Sequence, residues 1–407
     1  NDMSPEAREA NLEWLNDLWQ AYLNDVAPAR GMTPEELEET VNSFATLIHQ
    51  SNGDTAKAGL DAGLVDELMT RHQIRKRMIE LVGENKEIHS FNQIGYRTYL
   101  ELNESKRDKT EGENVVAVIM AKGSIVDGRQ PPGNIGGDST AALVRTARQD
   151  DKVKAIVLRV DSGGGSAFAS EVIRREFSLA REEGKPVVVS MGSVAASGGY
   201  WISTASDEIW AHPSTITGSI GIFGMFPTFQ RTMSTHLGLN VDGVGTTPLA
   251  GALRPDRKME PEVAEIIQLA VEDGYQNFLE RVSEAREMSI EEVDSLARGR
   301  VWSGQAAYEL GLVDRLGGLT NAISSAAESA ELGEDYSVRY MEEERKWYSR
   351  FLTELLARGV KWLGPLNPQS PRVLPSGIKD LLETELLTLQ RFADPKGIYA
   401  ACLCDLK

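Results

Sequence analysis

At 407 residues the chain is too long for one ordinary domain and long enough to build two hydrophobic cores. With 61 acidic residues against 43 basic ones it carries a net charge of −18 and no local basic patch, which argues against nucleic acid and anionic lipid surfaces as partners. Its apolar runs, such as Val115–Ala121, are strand-sized and fall well short of the ~20 residues of a bilayer-spanning helix. The only two cysteines, Cys402 and Cys404, can build neither a disulfide framework nor a structural zinc site, so they read as two free thiols, and no metal or cofactor is expected.

The chain opens Asn1-Asp2-Met3, acidic and polar where a secretory signal would be basic and then apolar, so its start reads as a cut rather than a natural beginning. Met3-Ser4-Pro5-Glu6 is echoed by Met259-Glu260-Pro261-Glu262, and Met32-Thr33-Pro34-Glu35-Glu36 by Met288-Ser289-Ile290-Glu291-Glu292 at the same displacement. A third pair, Gly63-Leu64-Val65-Asp66 and Gly311-Leu312-Val313-Asp314, keeps the order and implies a short insertion in the first copy. Three collinear matches predict an internal duplication. On this reading residues 1–90 are the helical tail of a first copy whose α/β body lies upstream, 91–113 a linker, 114–335 a complete second copy, and 336–407 a C-terminal extension. Around Trp347, Phe351 and Leu355 the extension has the spacing of an amphipathic helix.

Within the second copy, Asn114–Ala121, Lys154–Val160, Pro186–Met191 and Asp207–Ala211 are short, apolar and β-branched, as buried strands are. Ser139–Gln149 and Ala167–Glu183 carry apolar residues at helical spacing between them. Strand and helix alternate, which predicts an α/β core rich in parallel strands. Glycine clusters follow two of the strands, Gly163-Gly164-Gly165 and Gly198-Gly199, where α/β folds usually place their chemistry.

Ser197, flanked by Ala195-Ala196 and Gly198-Gly199, sits at an expected strand-to-helix turn. Small neighbours let a substrate backbone approach, and the first amides of the helix Gly198–Ala205 and of the Gly163–Gly165 turn can face an oxyanion. The same serine would serve equally as an ordinary helix N-cap. A serine nucleophile also needs a base, and none of the five histidines stands out: His212 and His236 read as surface residues, while His49, His72 and His89 have no partner motif.

Three motifs in order carry a resemblance: Asp161-Ser162-Gly163-Gly164-Gly165-Ser166, then Val194-Ala195-Ala196-Ser197-Gly198-Gly199-Tyr200, then Thr217-Gly218-Ser219-Ile220-Gly221. Together with the tail from Asp394-Pro395 to Cys404, the chain resembles the long, duplicated form of the signal peptide peptidase A (protease IV) family. The resemblance implies a ClpP/crotonase-like fold and a Ser–Lys dyad: Ser197 as nucleophile, Ser219 orienting the lysine, and the amides of Gly198 and Gly164 as oxyanion donors. Pro248, in Val244-Gly245-Thr246-Thr247-Pro248-Leu249, stands where single-copy members carry the base, so the lysine is expected from the first copy, upstream of this chain. Gly163 replaces the proline usual in the family's turn. Also implied are apolar signal-peptide substrates, a homo-oligomeric ring, expected as a tetramer, and a bacterial inner-membrane location facing the periplasm through an upstream helix. Lys122 and Lys185 are the in-chain substitutes for the base, an inactive scaffold is the reading if none exists, and a crotonase-type acyl-CoA enzyme shares the glycine turn.

Overall fold

The computed structural model describes residues 2–104, 112–131, 133–247, 249–341 and 398–402; Pro248, Cys404 and the helical pattern around Trp347–Leu355 lie outside them. The chain divides into two compact units, Asn16–Glu111, and Asn1–Leu15 together with Gly112–Lys407.

Helices dominate the first 104 residues: α1 (Pro5–Ala29), α2 (Pro34–Asn42), α3 (Phe44–Gln50), α4 (Thr55–Asp61), α5 (Arg71–Val82) and α6 (Tyr96–Glu104), with a small antiparallel pair β1 (Glu84–Asn85) and β2 (Ser90–Phe91). Leu23, Ala27 and Leu37 form a small buried core there.

In the larger unit the apolar runs become β3 (Val115–Lys122), β6 (Val153–Ser162), β8 (Val187–Ala196) and β9 (Glu208–Ala211), preceded or separated by short β4 (Ile125–Val126), β5 (Ile135–Gly136) and β7 (Gly164–Ser166). Helices α7 (Gly137–Gln149), α8 (Ala167–Glu182) and α9 (Gly198–Ser203) alternate with them, and β10 (Ile216–Gly218), β11 (Phe223–Gly224) and α10 (Gln230–Leu237) follow. The last elements are α11 (Pro261–Arg286), α12 (Ile290–Leu296), β12 (Val301–Ser303), α13 (Gly304–Glu309), β13 (Arg315–Leu316), α14 (Leu319–Ser329), β14 (Ser337–Met341) and β15 (Ile398–Ala401).

The main sheet runs β12-β10-β8-β6-β3-β14, with β9 beside the first half of β8 and β13 beside β9. Every pair in it is parallel except β10 with β12. Side chains alternate across a strand. Thus Val115, Ala117 and Ile119 join the cluster that includes Ile173 and Phe177 of α8, while Val116 and Val118 join the one that includes Ala322 and Ala326 of α14. Burial on both faces explains why the central strands read as continuous apolar runs. The expected α/β core of parallel-rich strands is present. A second sheet, β11-β15-β7-β4-β5, is made of strands of two to four residues.

The two matched segments share side-chain detail. Thr33 and Ser289 close equivalent capping boxes with Glu36 and Glu292. Arg30 donates through Nε to the Gly63 carbonyl at 2.9 Å and pairs with Asp66, while Arg286 donates to Gly311 at 2.8 Å and pairs with Asp314. Both glycines hold positive φ, +69° and +76°, the conformation that closes each turn. One expectation is corrected: Cys402 is disulfide-bonded and not a free thiol. A lone pair of cysteines needs no wider framework to be oxidised, and composition does not fix the redox state.

The two Arg–Asp clips differ in burial, since the Asp66 side chain is 85% exposed and that of Asp314 30%. Asp314→Ala is expected to cost about 2–3 kcal/mol, somewhat less than breaking a fully buried pair, and Asp66→Ala to leave the urea midpoint unchanged; equilibrium denaturation of the two variants checks this.

Candidate active site

Three strands deliver the site. β6, β8 and β10 lie side by side and parallel, so their carboxyl ends at Ser162, Ala196 and Gly218 open on the same edge of the sheet. Gly218 is register partner to Ala196, which sets the residues that follow, Ser219 and Ser197, next to each other. The Ser197 amide donates to the Gly218 carbonyl at 2.8 Å, and the Ser219 amide to the Arg300 carbonyl at 2.7 Å.

Both serines adopt positive φ, 50° at Ser219 and 54° at Ser197, the latter with ψ −114°. That region is costly for a residue with a Cβ, on the order of 1–3 kcal/mol. Ser197 follows β8 directly and α9 starts at Gly198, the expected sharp strand-to-helix turn, and the side chain is buried. Among the described residues its Oγ has no hydrogen-bond partner, and it does not cap α9. The alternative of an ordinary N-cap is therefore set aside.

Gly164 and Gly198 meet behind this serine. A methyl added at Gly164, whose φ is +95°, would come within 2.6 Å of the Gly198 nitrogen, so neither residue tolerates a side chain. The Gly164 amide donates to Ser162 Oγ at 3.0 Å, and as a donor to an oxyanion it would have to exchange that partner. Side chains unremarked in the sequence hold the strand ends: Thr217 Oγ1 donates to the Ala195 carbonyl and Thr215 Oγ1 to that of Gly192, each at 2.8 Å. Buried threonines on, or just before, a three-residue strand carry no periodic signal to announce them.

Trp201, buried on α9, packs against Phe278 in a tilted ring pair with centroids 4.6 Å apart and donates its indole N–H to Glu171 at 2.8 Å. Burial pushes the Glu171 carboxyl up, but the Arg174 guanidinium and the Trp201 indole outweigh it and hold the group below its ordinary value. A cavity of about 550 Å³ opens beside Ser219, with Ile222, Phe223 and Val271 in its wall and Tyr275 and Arg298 at its polar side. Burial, then the hydrogen bond to Asp294, pushes the Tyr275 phenol up to about 12, so it stays a donor.

The in-chain bases do not reach. Lys185 precedes the ten-residue strand β8, and Ser197 lies at its far end, roughly 30 Å away. Burial lowers the affinity of the Lys185 amine for its proton, and it donates to the Asp150 carbonyl at 2.7 Å. Lys122 is exposed and pairs with Asp161 at 3.7 Å. His212 is exposed and meets Ser214 at 2.8 Å, and His236 lies on the exposed α10. Arg300, also missed in the sequence, offers its carbonyl to Ser219 while its guanidinium stacks on Trp302 at 4.5 Å and pairs with Glu9 and Glu13 of α1.

A model of peptidase family S49 matches residues 1–85 and 179–333, two stretches that include Ser197 and Ser219 but not Gly164. Protease 4 of Salmonella typhi is 42% identical across 99% of this chain and 64% of its own length. Protease 4 of Haemophilus influenzae is 38% identical across 99% of this chain and 65% of its own. The chloroplastic serine protease SPPA of Arabidopsis thaliana is 30% identical across 81% of this chain and 48% of its own. The chain thus spans less than two thirds of the length of these relatives.

Two outcomes are expected from the geometry. Ser197→Ala removes a buried hydroxyl without a partner and should leave the protein as stable or more stable, by up to about 1 kcal/mol in denaturant titration. Because the folded Glu171 carboxyl is held low, its contribution is complete above roughly pH 4.3 and is lost as pH falls through the depressed value. Glu171→Gln should therefore flatten the acid limb of stability against pH, read by Trp201 fluorescence.

Proposed function

The chain belongs to peptidase family S49, and from that premise we propose that it carries the nucleophile half of a serine endopeptidase working by a Ser–Lys dyad. Ser197 attacks the scissile carbonyl, the amides of Gly198 and Gly164 receive the oxyanion, and Ser219 orients the lysine. The observation that carries the reading is Ser197: strained in its backbone, its hydroxyl buried and without a partner among the described residues, beside Ser219. A nucleophile needs a base within hydrogen-bond reach, and a lysine serves only if a dry pocket keeps its amine neutral.

No lysine among the described residues meets that condition, so the base comes from outside them, in keeping with a dyad shared between repeats. The first turns of α1 belong to the same compact unit as Ser197 and are tied to Arg300, which favours delivery of the base by the chain preceding α1. Substrates are extended, apolar signal-peptide segments, matched by the apolar wall at Ile222, Phe223 and Val271. The working form is a homo-oligomer, proposed as a tetramer, on the periplasmic face of a bacterial inner membrane; among the described residues no helix is long and apolar enough to cross a bilayer.

The test compares cleavage of an apolar signal peptide by residues 1–407 and by the full-length protein, each with and without Ser197→Ala. Turnover is expected only in the unsubstituted full-length protein. Retained turnover in the substituted one removes Ser197 as nucleophile, and equal turnover by residues 1–407 removes the shared dyad.

A further inference from the structure

β8 does not run evenly to Ser197. Along β6 its register advances one for one from Val187, opposite Ile156, to Met191, opposite Val160, and then jumps so that Ser162 faces Ala195. A step from Val160 to Ser162 on β6 is matched by a step from Met191 to Ala195 on β8, a bulge that holds Gly192, Ser193 and Val194. On its other side β8 pairs with β9 as far as Ser190 and with β10 from Val194 onward, so the bulge falls where β8 passes from one neighbour to the next. The short piece that delivers Ser197 is joined to the rest of its strand only through this bulge.

Two side chains hold it. From the β10 side Thr215 Oγ1 donates to the Gly192 carbonyl at 2.8 Å, and on the β6 side the Val194 amide donates to Asp161 Oδ1 at 3.3 Å. Asp161 is itself fixed, since its carbonyl accepts from the Gly123 amide at 3.1 Å and its carboxylate pairs with Lys122 at 3.7 Å. The fit is steric as well as polar. A methyl added at Gly192 would lie 2.9 Å from the Val160 carbonyl oxygen and 3.1 Å from Cβ of Asp161, so the bulge rests directly on this side chain. Bulges beside active sites re-aim the side chains that follow them, and a carboxylate holds a main-chain N–H more firmly than a neutral acceptor does.

We propose that Asp161 is a positioning residue for Ser197: its carboxylate oxygen pins the β8 bulge through the Val194 amide and so sets where the end of β8 delivers the serine. Its effect on catalysis rests on the reading of Ser197 as nucleophile; the clamp on the bulge does not. The carboxylate acts here as an acceptor and not as a charge, because the Lys122 side chain is 74% exposed and an ion pair with so exposed a partner contributes little. Without the acceptor the bulge relaxes, and Ser197 shifts against Ser219 while the apolar wall at Ile222, Phe223 and Val271 is untouched.

Steady-state cleavage of an apolar signal peptide is measured for the full-length protein, unsubstituted and with Asp161→Ala, Asp161→Asn, Gly192→Ala or Lys122→Ala. Asp161→Ala is expected to lower kcat about 10-fold to 100-fold at unchanged KM, as a small displacement of a reacting group does. Asp161→Asn keeps an oxygen for the Val194 amide and recovers most of the loss, whereas Lys122→Ala matches the unsubstituted enzyme. Gly192→Ala gives the same loss with Asp161 in place, and carries the test should Asp161→Ala fail to fold. Unchanged kcat in folded Asp161→Ala, or a loss shared in full by Asp161→Asn or Lys122→Ala, overturns the proposal. Hydrogen exchange separates this outcome from failure of the protease reading: protection of the Val194 amide drops in Asp161→Ala and persists in Asp161→Asn, whether or not peptides are cleaved. Unaltered protection in Asp161→Ala overturns the clamp, while turnover that survives Ser197→Ala removes the nucleophile and leaves the clamp standing.

Discussion

A single backbone hydrogen bond organises the site: the Ser197 amide to the Gly218 carbonyl, 2.8 Å. It is the last rung of the β8–β10 ladder, and it joins two strands just where each turns into positive φ. Neither serine would hold that conformation in a free loop, because the strain is comparable to the net worth of a hydrogen bond or larger. The buried threonines beneath, bonded to the Ala195 and Gly192 carbonyls, keep the ladder from opening at its end. Rigidity in the sheet is thus converted into a fixed hydroxyl, which is what a nucleophile needs and an ordinary cap does not.

The cost of that arrangement is visible in the unpaired Ser197 oxygen. A buried polar atom without a partner is destabilising, and most proteins avoid it. Here the vacancy in hydrogen bonding coincides with the motif serine, beside an apolar cavity and two bare glycines. On the proposed reading of Ser197 as nucleophile, stability and reactivity pull in opposite directions at this atom.

Much of this was legible in the sequence because its signals are periodic or steric. Continuous apolar runs announced β3, β6, β8 and β9, helical spacing announced α7 and α8, and glycines beside Ser197 announced a close backbone approach. The repeat was legible because capping boxes and an Arg–Asp clip demand particular residues at particular spacings. What stayed hidden were elements too short to have a period. β7, β10, β11 and β15 run two to four residues each, and the pairing of β15 with β7 joins parts of the chain more than two hundred residues apart. No local pattern encodes such a contact. Arg300 was equally silent, since its role is divided between a carbonyl, which every residue has, and a guanidinium that reads as one more surface charge.

That division of labour at Arg300 has a mechanical meaning. Its main chain holds Ser219, its side chain grips Trp302 and the first turns of α1, and only one residue separates it from Arg298 in the cavity wall. One residue thus ties the backbone at Ser219 to the first turns of α1, so that the rim of the candidate site and the start of the chain's first helix share an anchor.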